Sequence, residues 1–384
     1  MGADLTTIGG LFKTKYVGPV HENLTNGTVL LDKFQKDSET YDGEAVVLNV
    51  NKGRNVGQGA AAEDGTLPTA GNQGYAKLTY TLKYVYSRVR LTGQTIKLSR
   101  TNLGAFAKAM EREFKGATRD ARNELNRMLN GAGDEILTLV NGTSGAATVI
   151  TVDSTRFLND GDLLKIGTDD VTVVTVDSDT QITITPSTTV ADNDTIKRRI
   201  GTSTVDEPNG IALMIDDAGT VGGLARSSNN WLNSKVIDNS GTNRDLTIAL
   251  MDQLTREVEK RKNAQPDAFF AKQELRDVYG QLLQADRRFM SKDLLGGKEA
   301  LSHNGVPFLV DFHAKDYTIF APTWDTMTLY DAGPVEFMDE DGNVLSRVAD
   351  KDAFEATLRY YCQLGTHDAR INARLEDVSE TLAA

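Results

Sequence analysis

The sequence contains little cysteine, histidine, tryptophan and proline: one, four, two and eight residues among 384. The single cysteine, Cys362, excludes a disulfide framework and indicates a reducing compartment. No apolar run approaches the roughly 20 residues that a bilayer span requires. Residues 1–11 also lack the basic-then-apolar order of a signal peptide. We therefore expect a soluble intracellular protein with no membrane partner.

The residues that usually carry catalysis or bind metals form no recognisable pattern. His303 and His313 share a region, but no helix places two of the four histidines four residues apart, as a helical zinc motif requires. The glycines at 57 and 59 are not followed by the Lys-Ser/Thr pair of a phosphate loop. Cys362 has no His or Asp at a nucleophile's spacing and is expected in the core. We expect no catalytic residue, no metal, no cofactor and no enzymatic activity.

The charge of the chain is acidic and uneven. The net charge is −12, which argues against a protein that binds nucleic acid through its whole surface. Residues 1–135 carry 18 Lys and Arg against 15 Asp and Glu, and the remainder carries 24 against 39. Ordinary solubility explains this, and so does a basic face that packs against an acidic one in an assembly.

A long Gly/Ala-rich hairpin is predicted between about residues 43 and 92. Its return strand alternates with a period of two and places five apolar or aromatic residues on one face: Leu78, Tyr80, Leu82, Tyr84 and Tyr86. The phase changes after Tyr86, which predicts a bend there. The tip, residues 53–74, has almost no large side chain, and isolated two-stranded ribbons are marginally stable. We therefore expect residues 41–92 to be stable only when they lie on another copy.

An amphipathic helix is predicted over residues 102–130, with an apolar stripe at three- and four-residue spacing and a stop at Asn130–Gly131. Such a helix is about 42 Å long. Its other faces carry the basic residues Arg112, Lys115, Arg119 and Arg122. A solvated or salt-bridged helix face is the favoured interpretation of these residues, and weak, non-specific contact with DNA is the alternative.

The rest of the chain divides by pattern. Short β-branched runs with turn signals over residues 143–200 predict a small barrel or sandwich. Residues 225–330 alternate helix and strand, which predicts an α/β unit. A hairpin is predicted over 335–348 around Asp341–Gly342, followed by a strand at 353–364.

This order of elements resembles the major capsid proteins of tailed bacteriophages with the Hong-Kong-97-type shell fold. The segment Gly222 to Trp231 resembles the family's entry into its axial domain, and Asn304 to Asp311 resembles its G-x-P-hydrophobic strand. The hairpin at 336–348 and the strand around Arg359–Tyr361 resemble the family's return to the peripheral domain.

The resemblance implies an α+β fold with seven parts. They are an N-terminal arm (1–40), an extended loop (41–92), the spine helix with the start of the peripheral domain (93–142), an inserted β-barrel (143–200), a peripheral linker (201–224), an axial domain (225–332) and the return to the peripheral domain (333–384).

The resemblance also implies a function. Many copies would assemble as hexamers and pentamers into an icosahedral virion shell around packaged double-stranded DNA, in the host cytoplasm. A separate scaffolding protein, a portal and decoration proteins would be its partners. Leu78, Tyr80, Leu82, Tyr84, Tyr86 and Trp231 would contact neighbouring subunits. Some shells of this kind form Lys–Asn crosslinks between subunits. Here neither the lysines of the loop nor Asn372 can be aligned with the crosslinking residues of those shells, so no crosslink is expected.

Two alternatives remain open at this point. An encapsulin-type compartment shell shares the fold and holds cargo proteins, although the barrel insertion argues against it. A β-rich glycan-binding or hydrolytic protein is a different class, but it leaves the long hairpin unexplained and requires a paired-carboxylate cleft that the sequence does not suggest.

Overall fold

The computed structural model describes residues 29–38, 43, 45–94, 103–285, 293–295, 298–339 and 344–381. The fold is a mixed α+β one, as expected. The described residues form a sheet covered by one long helix, a β-barrel and an α/β unit, each with buried apolar side chains. None of the helices in these ranges is both long and apolar enough to cross a membrane.

The described part of the predicted N-terminal arm belongs to the core. Helix α1 (Val29–Lys33) leads into strand β1 (Gln35–Asp37). Leu30, Leu31 and Phe34 are buried in an apolar cluster that also contains Leu78, Phe320 and Leu364 and is called the main core below. The expectation of an extended arm is therefore wrong for this stretch, because its apolar residues form one helical turn that packs inward. Residues 1–28 lie outside the described residues.

The predicted ribbon is shorter than expected. Strands β2 (Ala45–Gly53) and β3 (Gly74–Thr81) pair antiparallel from Ala45–Thr81 to Gly53–Gly74. Strand β4 (Lys83–Thr92) does not continue the ribbon and instead joins a larger sheet. The direction changes at Leu82, four residues earlier than predicted. Because the phase also changes there, Tyr84 and Tyr86 lie on the exposed face of β4.

Helix α2 (Leu103–Asn130) is present where the apolar periodicity predicts it. Phe114 packs edge-on against Phe337, with ring centroids 5.1 Å apart, in a core that also includes Leu358 from the large sheet. Leu125 and Leu129 belong to the main core. The last two turns of the helix therefore join the sheet to the rest of the molecule.

The short strands predicted between 143 and 200 are present, and they form one closed sheet. The strands are β5 (Ile136–Leu139), β6 (Ser144–Thr151), β7 (Leu163–Ile166), β8 (Asp169–Ser178), β9 (Gln181–Val190), β10 (Thr195–Ile200) and β11 (Ser203–Thr204). The sheet order is β11-β10-β7-β8-β9-β6, and β5 also pairs with β10. The main-chain N–H groups of Asn141 and Asp153 donate to the carbonyls of Thr151 and Leu139 at 2.9 and 3.0 Å, which closes β5 against β6. The barrel begins before residue 143 because Leu137 packs in its core.

The segment after the barrel is mostly turns. It contains α3 (Ile211–Met214), a small hairpin of β12 (Thr220–Val221) and β13 (Leu224–Ala225), two 3-10 turns (Arg226–Ser228 and Asn230–Leu232) and β14 (Lys235–Ile237).

The α/β unit follows. Helix α4 (Ile248–Lys262) begins at Thr247, whose hydroxyl accepts from the Leu250 N–H at 3.2 Å, and it ends at Asn263 in the left-handed conformation. The next elements are β15 (Phe269–Ala271), α5 (Gln273–Ala285), β16 (Asp293–Leu295), β17 (Lys298–Ala300), β18 (Ser302–His303), β19 (Val306–Val310) and β20 (Ile319–Ala321). The predicted helices and strands of this region are present.

The C-terminal part crosses between two sheets. A 3-10 turn (Trp324–Thr326) precedes β21 (Met327–Asp331), β22 (Glu336–Phe337), β23 (Ser346–Arg347) and β24 (Ala353–Thr366). A second 3-10 turn (Ala369–Ile371) precedes β25 (Ala373–Leu375). Strand β24 lies between β4 on one side and β21, β22 and β23 in succession on the other, with β1 beyond β21.

Two expectations about this region are wrong. Strands β22 and β23 both run antiparallel to β24, so they do not form the predicted hairpin with each other, and Asp341–Gly342 lies outside the described residues. Strand β25 joins the α/β sheet, whose order is β14-β25-β20-β15-β19-β18. Since β21 pairs with β24, the return to the large sheet begins at Met327 rather than at 333. After β24 the chain passes back to the α/β sheet through β25.

Candidate assembly surfaces

The root of the ribbon is buried in the chain's own core. Leu78, Tyr80 and Leu82 pack there with Val46. The Tyr80 hydroxyl donates to the Thr366 carbonyl at 2.8 Å and accepts from the Thr366 N–H at 3.1 Å, and burial raises the pKa of Tyr80 well above its usual range. These three side chains are not available to another subunit, so that part of the contact prediction is wrong. The expectation that residues 41–92 need a second copy is likewise wrong for the root.

A single turn fixes the direction in which the ribbon leaves the body. The Thr79 N–H donates to the Gly222 carbonyl at 2.9 Å. Gly222 has a φ of +55°, and a Cβ on it would lie 2.8 Å from the Leu78 Cβ. Only glycine combines this conformation with this close approach.

The tip of the ribbon lies away from the body. Residues 54–73 are almost all exposed, including Val56 (79%) and Leu67 (78%), and Tyr75 beside them is 68% exposed. The tip has its own local order: the Asn55 carboxamide oxygen accepts from the Gly57 N–H at 2.8 Å. Apolar side chains with this exposure at the end of an ordered arm are typical of a contact surface.

A second apolar surface borders a cleft of about 660 Å³ between β4, the end of α2, the barrel and the loop after β19. Four exposed apolar residues line it: Tyr84 (50%), Tyr86 (52%), Ile200 (73%) and Phe312 (64%). Tyr84 and Tyr86 both pack edge-on against Tyr361, with ring centroids 4.9 and 6.0 Å apart. Of the six residues predicted to contact neighbours, these two are half exposed and lie at this cleft.

Ion pairs hold the walls of the cleft together. Arg127 on α2 contacts Glu124 at 2.9 Å and also pairs with the buried Glu207. Arg198 on the barrel contacts Glu124 at 2.6 Å. Burial alone would raise the pKa of Glu124, but the two guanidinium groups outweigh it and lower that pKa. The barrel is therefore attached to the long helix by charge as well as by the chain connection from Asn130 to Ile136.

An aromatic joint attaches the barrel to the loop after β19. The Arg156 guanidinium lies 4.4 Å from the centroid of Phe157 and donates to Asp316 at 3.0 Å. Phe157 stacks on His313, with ring centroids 5.9 Å apart. Arg156, Phe157 and His313 all line the cleft.

The basic residues of α2 remain a prediction. Lys115 and Arg119 are exposed, and Arg119 lies 3.5 Å from Asp120, whereas Arg122 is partly buried. The Arg112 side chain lies outside the part of the chain that the structure describes. Trp231, the remaining predicted contact, is half-buried against the main core, and its indole N–H donates to Asn229 at 3.3 Å.

Sequence reasoning missed two buried arginines. The fully buried guanidinium of Arg226 donates to the carbonyls of Leu213, Met214, Ala218 and Leu232 at 2.8 to 3.2 Å, and burial lowers its pKa. Arg374 donates to the carbonyls of Ala212 and Ile215 and to Asp216 at 2.9 to 3.0 Å. Together they hold the turns next to Gly222. For Arg226, the one sign of such a role in the sequence is its position directly after the glycine-containing stretch 222–225.

The remaining candidate groups have structural surroundings. Cys362 is buried in the main core, as expected, and burial raises its pKa. The Asn372 carboxamide is buried and bonded to the Thr323 N–H at 2.7 Å, so it is not exposed to a lysine of another chain. His303 bridges the Tyr279 hydroxyl and Asp252 at 2.9 and 3.0 Å. Among the described residues, no three His, Cys, Asp or Glu side chains cluster as a metal site would require.

Comparison with known proteins gives matches by structure. No family model and no curated protein matches the sequence. The capsid asymmetric unit of cyanophage A-1(L) matches over 94% of this chain and 92% of that chain, with 15% identity and a TM-score of 0.55. The capsid of a native GTA particle matches over 93% and 91%, with 11% identity and a TM-score of 0.51. The holo-SrpI encapsulin complex from Synechococcus elongatus PCC 7942 matches over 92% and 89%, with 10% identity and a TM-score of 0.52.

The chain therefore has the fold of phage capsid proteins along nearly its whole length. The resemblance read from the order of elements is confirmed at the level of the fold.

Proposed function

We propose that this protein is the major head protein of a tailed bacteriophage, a non-enzymatic subunit that assembles as hexamers and pentamers into an icosahedral shell around double-stranded DNA. The observation that carries the proposal is the whole-chain likeness to capsid subunits, together with a ribbon whose tip exposes Val56 and Leu67 in the part of the chain that the structure describes. In this role residues 45–81 are the extended loop, 103–130 the spine helix and 136–204 an inserted barrel. A scaffolding protein, a portal and decoration proteins are its proposed partners.

Electron microscopy of the purified protein tests assembly directly. Closed particles of uniform size support the proposal, and a persistent monomer near 41.8 kDa under assembly conditions would refute it. A ribbon variant tests the mechanism. Replacement of residues 54–73 by a two-residue Asn-Gly turn keeps all of β2 and β3, which end at the Gly53–Gly74 pair. The variant should fold, because no buried residue is removed, and it should form no closed shells. Intact particles from it would show that the tip is not needed.

A compartment shell is the second candidate, because an encapsulin is among the structural neighbours. The contents of particles purified from the native source separate the two functions. Nuclease-protected double-stranded DNA supports a phage head, and a co-purifying protein cargo without DNA supports a compartment.

A further inference from the structure

We propose that the loop between β19 and β20, residues 311–318, is a latch that holds the barrel against the α/β unit and so fixes the width of the cleft. The ion pair of Arg198 with Glu124 attaches the barrel to α2, whereas the latch attaches it to the α/β unit. The inference concerns the single subunit and does not depend on the proposed shell function.

The two chain connections of the barrel run side by side and form a single hinge. Residues 131–135 connect α2 to the barrel, and residues 205–210 connect the barrel to α3. A Cβ on Gly133 would lie 3.0 Å from the Asn209 Cα, so the two connections touch. A short loop that contains glycine absorbs backbone rotation readily. A unit attached at one place can rotate about it, so a contact outside the hinge is needed to fix its orientation.

The barrel presents a guanidinium group and an aromatic ring to the latch. The Arg156 guanidinium donates to the Asp316 carboxylate at 3.0 Å and to the Ala314 carbonyl at 3.2 Å. The adjacent Phe157 ring stacks on His313, with an angle of 7° between the ring planes. Only 12% of the Arg156 side chain is exposed, so solvent ions screen its pair with Asp316 less than they screen a surface pair.

The latch is fastened to the rest of the subunit near both of its ends. At the first end, the buried Asp311 carboxylate accepts from the Asn126 carboxamide on α2 at 2.9 and 3.0 Å. Near the second end, Asp316 also contacts Lys272 at 3.0 Å, directly before α5. One carboxylate therefore joins a cation of the barrel, Arg156, to a cation of the α/β unit, Lys272.

The backbone of the latch is strained next to this shared carboxylate. Tyr317 has a φ of +56°, a conformation that a bulky side chain rarely adopts. The C-terminal segment holds it there, because the Val378 N–H donates to the Tyr317 carbonyl at 3.1 Å and the Tyr317 N–H donates to Glu380 at 3.4 Å. Strain of this kind persists only where the surrounding structure imposes it. The conformation of the latch is therefore set by residues outside it.

The position of the barrel determines the shape of the cleft. Arg198 and Ile200 line the cleft from the barrel, and Phe312 and His313 line it from the latch. Rotation of the barrel about its hinge would move these walls relative to each other. A closed latch keeps them at one separation.

A distance measurement between two spin labels tests whether the barrel is fixed. The only native cysteine is buried, so introduced cysteines are labelled selectively. Val174→Cys places one label on the barrel, and Arg256→Cys places the other on α4; both native side chains are exposed. We expect double electron–electron resonance on the unassembled full-length subunit to give one narrow distance distribution. A broad distribution from this protein, with its latch unaltered, would overturn the proposal.

An arginine substitution in the labelled subunit tests the latch itself. Arg156→Ala should broaden the distance distribution, because the barrel loses its hydrogen bonds to Asp316 and Ala314. Arg199→Ala is the matched control, since Arg199 is a barrel arginine that donates within the barrel, to the Leu164 carbonyl at 3.0 Å. The control should keep the narrow distribution. An unchanged width for Arg156→Ala, or equal broadening by both variants, would overturn the proposal.

His313→Ala is the second variant, should Arg156→Ala not fold. It removes the ring that stacks on Phe157 and leaves both ion pairs of Asp316 in place. It should also broaden the distribution, and an unchanged width would overturn the latch. Circular dichroism distinguishes a released barrel, which keeps its strands, from an unfolded one. The measurement requires no particles, so its failure and a failure of the proposed shell function are separate results.

Discussion

Substitution of Gly222 by alanine tests how the ribbon is held at its root. The left-handed conformation at φ +55° costs an L-residue about 1–2 kcal/mol. The new Cβ would also lie 2.8 Å from the Leu78 Cβ in a fully buried site, and such overpacking typically costs about 1–3 kcal/mol. The sum is about 2–5 kcal/mol, a large part of the 5–15 kcal/mol that is typical of a folded domain.

Gly223 is a matched control for the backbone term. Its φ is +78°, and a Cβ there would meet nothing within 4 Å. Gly223→Ala should therefore lose only about 1–2 kcal/mol of unfolding free energy. The difference between the two variants isolates the contact with Leu78.

Urea unfolding of the unassembled subunit measures both variants. The fluorescence of Trp324 and Trp231 reports on the main core, in which Leu78 lies. A double-mutant cycle with Leu78→Ala sharpens the test. Alanine keeps the Leu78 Cβ but removes the Cδ2, which would lie 2.9 Å from the new Cβ, so Leu78→Ala should relieve part of the cost of Gly222→Ala. Two results would refute the idea that this turn fixes the ribbon: equal free energies of unfolding for Gly222→Ala and Gly223→Ala, or no coupling energy between Gly222→Ala and Leu78→Ala. We also expect Gly222→Ala to impair assembly more than Gly223→Ala.

Three further outcomes follow from buried groups. Arg226→Met should cost about 3–5 kcal/mol or prevent folding, because four carbonyls, including those of the buried Met214 and Leu232, lose their donor. The exposed Arg119→Met should change the unfolding free energy by no more than about 0.5 kcal/mol in the same urea assay. Burial alone would raise the pKa of Asp311, but hydrogen bonds from His313 and Asn126 lower it. The ionised carboxylate therefore stabilises the protein at a pH above 3.8, the pKa of an aspartate in the unfolded chain. This stability is lost as the pH falls through the lower pKa of the folded state. Asn126→Ala should therefore be less stable at pH 7 and lose less stability on acidification than the unmodified protein, and parallel pH profiles would contradict this. Because burial raises its pKa, the Cys362 thiol should resist a maleimide in the folded subunit and react after unfolding. Mass spectrometry measures this modification, and rapid modification of the native protein would contradict the place of Cys362 in the core.

Local patterns predicted the elements whose periodicity is long or regularly punctuated. The helix at 103–130 keeps its apolar stripe over seven turns, so its existence did not depend on knowledge of its partners. The strands of the barrel carry β-branched residues between Asp-, Asn- and Gly-containing turns, and these signals are also local.

Elements whose pairing depends on distant residues were predicted less well. Leu78 to Tyr86 read as one alternating face because both strands contain aromatic residues at even positions. The structure divides this face at Leu82, since β3 packs into the core and β4 turns its other side inward against α2. In the same way, the sequence pattern predicted a hairpin of Glu336–Phe337 with Ser346–Arg347. Each of these strands instead pairs with β24, at different residues along one edge.

The sequence by itself determined the class of fold, the long helix, the barrel strands and the order of elements that resembles a capsid subunit, because each of these is encoded in residues that are close together in the chain. The tertiary structure decided which surfaces remain exposed. Tyr80 is an internal hydrogen-bond donor, and Ile200 and Phe312, unremarkable in the sequence, line one cleft. The reason is that the burial of a residue depends on the residues it packs against, which can be distant in the sequence: Tyr80 bonds to Thr366, 286 residues away.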